Sequence, residues 1–123
     1  MNWKRVLWLG IGLMLLTACG GTPTPIVGDP AAGETTFSSA GCIACHAVVP
    51  EVKIVGPSLF GVVDQIEALR PGYTADEFFT ESIADPNAFI TPGFQPDLMP
   101  KTFKDTLTAQ DLADLIAYLK TLH

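Results

Sequence analysis

The chain has 123 residues, 7 of them basic and 13 acidic, with a formal net charge of −6 and three cysteines. That length holds one domain at most. The acidic balance excludes the basic footprint that nucleic-acid binding requires and provides no attraction to anionic lipid headgroups.

Met1-Asn2-Trp3-Lys4-Arg5 is a short positive n-region, and Val6 to Leu16 is an apolar run of 11 residues. The run is too short to span a bilayer as a helix and fits a secretory h-region. It ends in Leu16-Thr17-Ala18-Cys19, which resembles a bacterial lipoprotein signal, so residues 1–18 are expected to be removed and Cys19 lipidated. Loss of Lys4 and Arg5 leaves 5 basic residues against 13 acidic ones, a formal charge of −8. Both tryptophans leave as well, and Met99 becomes the only methionine. Acyl chains on Cys19 would supply the membrane association that the charge does not.

Residues 19–28, rich in Gly, Pro and Thr, have the composition of a flexible tether with some polyproline stiffness, spanning roughly 15–30 Å. The domain proper is then 29–123. Asp29-Pro30 opens a first helix, with Asp29 as cap and Pro30 in the first turn. It is expected to run to about Ala40 and stop at Gly41. Gly33 and Phe37 share one face of it at i, i+4.

Cys42-Ile43-Ala44-Cys45-His46 follows. C-x-x-C-H is the attachment signature of c-type haem. Two thiols three positions apart can each bond a vinyl group of one porphyrin, and the next histidine is then held under the ring, where it can ligate the iron. Three other readings compete with this one. A thioredoxin-like dithiol belongs after a strand in a βαβ pattern, and none is visible. A zinc site needs two further ligands, for which the chain offers only His123. A chance match of five residues is the third, and the remainder of the chain decides it.

From Ala47 to Val63 no helical period is visible, and Gly56-Pro57 and Gly61 punctuate a loop. Gly56 to Gly61 is unusually apolar for an exposed loop, as a haem-facing segment would be. Residues 64–69 carry a weak helical signal that ends at Pro71-Gly72. Thr74 and Glu77 form a capping box before a short helix containing Phe78, Phe79 and Ile83 and ending near Asp85-Pro86. Residues 87–101 hold Pro92, Gly93, Pro96 and Pro100 and are expected to form an irregular loop around Met99. The clearest helix is Thr108 to Leu122. Thr108 and Asp111 make another capping box, Leu107 and Leu112 a hydrophobic staple, and Leu112, Leu115, Ile116 and Leu119 a buried stripe. The pattern predicts an all-α domain with loops.

The short first helix, the C-x-x-C-H, Gly56-Pro57-Ser58-Leu59, the lone Met99-Pro100 and the closing segment from Leu107 to Leu119 together resemble class I cytochrome c over residues 29–122. Residues 85–90 and 93–100 are similar to the cytochrome domains fused to subunit II of haem–copper oxidases and to small cytochrome subunits of bacterial respiratory complexes. The resemblance implies three to five short helices around one covalent haem c. It implies His46 and Met99 as axial iron ligands, with Cys42 and Cys45 in thioether bonds. The Pro57 carbonyl would orient His46 and Leu59 would wall the pocket, while Gly33 and Phe37 would cross the last helix near Tyr118.

The family's tryptophan partner for a haem propionate has no counterpart in the mature chain, and Tyr73, Arg70 and Lys101 are the candidates for that place. The implied function is one-electron transfer by an extracytoplasmic, lipid-anchored cytochrome in a respiratory or photosynthetic chain. It would act as a mobile carrier or as a subunit, with an oxidase, a quinol-oxidising complex or a reaction centre as redox partner. The competing function is a five-coordinate haem gas sensor or peroxidase, which requires Met99 to be unligated.

Overall fold

The computed structural model describes residues 24–123; the leader, Cys19 and the first part of the tether lie outside the described residues. The first helix, α1, spans Pro30–Ser39. Asp29 is extended, and its carboxylate accepts the Ala31 N–H at 2.9 Å, satisfying one of the free donors of the first turn. Ala40 closes the helix and Gly41 follows at φ 81°, the left-handed region that a Cβ would disfavour. The chain then tightens into a 3₁₀ turn over Cys42–Ala44.

A loop leads to a second 3₁₀ turn, Val63–Gln65, which runs directly into α2, Ile66–Leu69. Helix α3 spans Ala75–Ala84, α4 Phe103–Thr106 and α5 Ala109–Leu119. Both capping boxes form. The Thr74 hydroxyl accepts from the Glu77 N–H, the Thr108 hydroxyl accepts from the Asp111 N–H, and each acidic side chain reaches back to the cap. The weak helical signal at 64–69 is therefore real but only one turn long as α-helix. Helix α4, also a single turn, was not anticipated, because four residues are too few to show a period. The described residues contain no strand, and their fold is all-α.

Helices α1 and α5 cross closely, and glycine sets the distance. A Cβ on Gly33 would collide with the Asp114 carbonyl oxygen and lie 2.8 Å from the Tyr118 Cβ. One turn on, Phe37 packs on Tyr118 with ring centroids 5.6 Å apart. Phe37, Val62, Ile66, Phe78, Phe79, Leu115, Ile116 and Leu119 form the buried core. Each such side chain contributes roughly 1.5–3 kcal/mol by leaving water.

The buried stripe of α5 differs from expectation at two positions: Leu112 is only half-buried, and Asp114 is 7% exposed. Asp114 is tolerated inside because its Oδ1 accepts the Asp29 N–H at 2.7 Å and the Gln110 amide at 2.8 Å. The Gln110 amide also donates to the Val27 carbonyl at 2.9 Å, and Gly28 lies against Ala113 and Ala117. The chain thus meets α5 from Val27 onward. Among the described residues no helix is long and apolar enough to cross a membrane.

Candidate functional site

The ends of these short helices enclose one largely apolar cavity of about 280 Å³. Cys42, Cys45 and His46 line it from the turn after α1, Pro57 and Leu59 from the following loop, and Met99 from the loop before α4. Phe37, Phe78, Phe79, Phe89, Leu115 and Leu119 supply much of the remaining wall. The Phe78 ring stands 5.6 Å from Phe79 and 6.0 Å from Phe89, both edge-on, a favoured aromatic geometry.

The orientation of His46 is set by its neighbours. Its Nδ1 is 2.9 Å from the Pro57 carbonyl oxygen. A carbonyl only accepts, so Nδ1 carries the proton and Nε2 keeps its lone pair. Burial lowers the pKa of this imidazole, while the bond to Pro57 opposes that shift; the neutral ring is the metal-binding form. Burial raises the pKa of the Cys42 thiol. The Cys45 carbonyl accepts the N–H groups of Val55 at 3.3 Å and Gly56 at 2.9 Å, which clasps the loop onto the turn. A Cβ on Gly56 would fall 2.5 Å from His46 Cε1 and 2.9 Å from its Nδ1.

The Met99 loop is staked at both ends by one reciprocal pair. The Asn87 amide donates to Asp97 Oδ1 at 2.7 Å, and the Asp97 N–H donates to Asn87 Oδ1 at 3.1 Å. Asp97 adopts φ 63°, an uncommon conformation for a residue with a Cβ, though Asp tolerates it better than most. Lys101 bridges to Asp97 at 2.5 Å. Lys101 first, and then Asn87, hold the Asp97 carboxyl below its ordinary pKa.

Tyr73, Arg70 and Lys101, the candidates for a propionate partner, do not line the cavity. The Arg70 guanidinium pairs with Glu81 at 2.6 Å and stacks on Tyr73 at 4.2 Å, while the Tyr73 hydroxyl donates to Glu81 at 3.1 Å. The cavity's polar lining comes instead from residues such as Gln65, Ser82, Asn87 and Gln95. His123 is exposed and is not part of the wall.

Two thiols three positions apart, an imidazole with its second nitrogen committed, a thioether and an apolar chamber suit a covalently held iron porphyrin. Residues 30–123 match the family described as Cytochrome c. The chain belongs to the cytochrome c family. It is 32% identical to cytochrome c2 iso-1 of Rhodospirillum centenum over 76% of this chain and 96% of that one. It is 34% identical to cytochrome c2 of Rhodospirillum rubrum over 94% and 96%. The structure of cytochrome c2 from Rhodospirillum centenum superposes with a TM-score of 0.50 at 28% identity, covering 77% of this chain and 98% of that one. This cytochrome c carries a single covalent haem c and is an electron carrier rather than an enzyme.

Three contributors to the site of this cytochrome had no role assigned from its sequence. Gly56 was read as part of an apolar loop and of the Gly-Pro-x-Leu resemblance, but not as the residue that makes room for His46. Asn87 and Asp97 are ten positions apart in a segment without periodicity, so no pattern joins them.

Proposed function

We propose that Cys42 and Cys45 form the thioether bonds, that His46 is the proximal iron ligand and that Met99 is the distal one. The observation that carries this reading is the convergence of these four side chains on one apolar cavity. The bond from His46 Nδ1 to Pro57 supports it, because Nε2 is then the nitrogen left for a metal. Pro57 orients the imidazole, and Leu59 walls the pocket. When bound, the haem supplies a one-electron iron couple. His46 and Met99 would hold the iron from two sides and leave no site for a small molecule. The soft Met99 sulfur would favour ferrous iron and raise the potential, with the phenylalanine side chains giving the pocket an apolar wall.

Export and lipid anchoring complete the reading. Residues 1–18 serve as signal peptide, Cys19 bears the lipid, residues 19–28 are the tether and residues 29–123 the cytochrome domain. The lipoprotein-like Leu16-Thr17-Ala18-Cys19 supports this. The Gln110 amide holds the Val27 carbonyl, so the end of the tether meets the last helix. The domain then sits outside the cytoplasm, in the periplasm or on the outer face of the cytoplasmic membrane. It exchanges electrons there with an oxidase, a quinol-oxidising complex or a reaction centre, as a mobile carrier or a fixed subunit.

Mass spectrometry of the membrane-extracted protein tests the anchor. The expected N-terminus is a blocked, acylated Cys19, and Cys19→Ser should release the domain or leave it uncleaved. An unmodified Cys19, or an N-terminus at Met1, contradicts the reading. Acid–acetone extraction tests the thioethers: the colour should stay with the polypeptide, and with Cys42→Ala/Cys45→Ala no coloured, folded protein should form.

A further inference from the structure

Two loops flank the cavity near His46 and Met99, and a single cation joins them. Lys53 lies in the loop between His46 and Pro57, and Phe94 in the segment that leads to Met99. The Lys53 ammonium stands over the Phe94 ring, 5.3 Å from its centroid, within the range of a cation–π attraction. Among the described residues no hydrogen bond runs directly between these two loops.

Each loop is fixed on its own side of the contact. The Cys45 carbonyl accepts the N–H groups of Val55 and Gly56, and the Ser58 hydroxyl donates to the Val49 carbonyl at 2.7 Å. On the other side Asn87 and Asp97 hold each other, and the Phe94 N–H donates to the Thr91 carbonyl at 3.1 Å. Phe94 lines the cavity, as Met99 does. Among the described residues, Glu51 and Asp97 are the residues other than glycine at positive φ, 60° and 63°. One lies on each loop, close to Lys53 and to Phe94. Such conformations persist only where the surroundings hold them.

Charge leaves Lys53 available to the ring. Arg70, Lys101 and Lys120 pair with Glu81, Asp97 and Asp76. Lys53 is exposed and belongs to none of these ion pairs. An exposed cation–π contact is too weak to carry the fold. It is strong enough to bias a local equilibrium, and the one within its reach is the lifting of the Met99 segment.

We propose that Lys53 is a positioning residue for the distal ligand. Through Phe94 it clasps the Met99 segment against the His46 loop, and so limits access of small molecules to the iron. The proposal rests on the reading of Met99 as an iron ligand. Lifting the segment breaks the contact, so the clasp stabilises only the closed arrangement.

Imidazole, at a pH where it is uncharged, probes this opening in the oxidised holoprotein, because it must take the place of Met99. Loss of the near-infrared sulfur-to-iron band reports its binding. Lys53→Met keeps the apolar stem without the cation and should tighten imidazole binding about two- to fivefold. Lys53→Arg keeps a cation over the ring and should bind as the wild type does. Phe94→Leu keeps an apolar wall without the ring, and in that background Lys53→Met should change nothing further. Lys53 is exposed, so its variants should fold. Equal affinities for wild type and Lys53→Met would overturn the clasp. So would the same tightening by Lys53→Met in both backgrounds, or a Lys53→Arg protein that behaves like Lys53→Met. A wild-type protein with no sulfur-to-iron band would instead sink the Met99 reading and this proposal with it.

Discussion

His46 Nδ1 lies 2.9 Å from the carbonyl oxygen of Pro57, and Gly56 leaves room for the ring beside that bond. The residue before Pro57 must therefore lack a side chain, because a Cβ there would enter the imidazole's space. Gly56→Ala should displace the ring and destabilise the holoprotein by about 1–3 kcal/mol. Denaturant unfolding reads the stability, and the electron paramagnetic resonance of the oxidised iron reads the ring's new orientation. An unchanged spectrum would show that His46 does not depend on this contact.

Gly33→Ala tests the crossing of α1 and α5. The added methyl would meet backbone, the Asp114 carbonyl, which cannot swing aside as a flexible side chain would. The helices must separate, and Phe37, 2% exposed, loses packing. A loss of more than about 2 kcal/mol is expected, measured by thermal unfolding of the holoprotein.

Asn87→Ala removes both hydrogen bonds that stake the Met99 loop to Asp97. At about 0.5–1.5 kcal/mol per bond, the effect on global stability is modest. The effect on the loop should be larger, because Asp97 holds φ 63° without its partner. The near-infrared sulfur-to-iron band of the oxidised protein should disappear at a lower temperature than in wild type, well before the helices melt.

The capping boxes give an acid dependence. The backbone N–H and hydroxyl of Thr74 hold the Glu77 carboxyl below its ordinary pKa, and the hydroxyl and backbone N–H of Thr108 do the same for Asp111. Folded values below unfolded ones mean that this stabilisation is complete above the unfolded value, about 4, and is lost as pH falls through the folded values. Glu77→Gln/Asp111→Asn should flatten that part of the stability–pH curve, read by thermal melts across acidic pH.

The α-helices read best from the sequence were those with local signals. Asp29 before Pro30, Gly41, Thr74 with Glu77 and Thr108 with Asp111 act within a few residues, so pattern and structure coincide. Cys42, Cys45, His46 and Met99, singled out by residue type, all line the one cavity. What escaped was non-local. Asp114 sits in a helical stripe that reads as apolar, and its burial is stabilised by Asp29, 85 positions away. The contacts of Arg70 and Tyr73 could not be read from the sequence because their shared partner, Glu81, lies across a turn and on another helix.

Axial ligation by Met99 is the point on which the electron-carrier account turns, and the spectrum of the oxidised holoprotein tests it most directly. If the Met99 sulfur ligates the iron, the protein is low-spin, shows a weak near-infrared sulfur-to-iron band and resists carbon monoxide when reduced. Met99→Ala should then abolish the band, admit carbon monoxide and lower the potential, and Met99→His should keep the iron low-spin at a lowered potential. A wild-type protein that is high-spin and binds carbon monoxide rapidly would contradict the account and favour a gas-binding or peroxidase role.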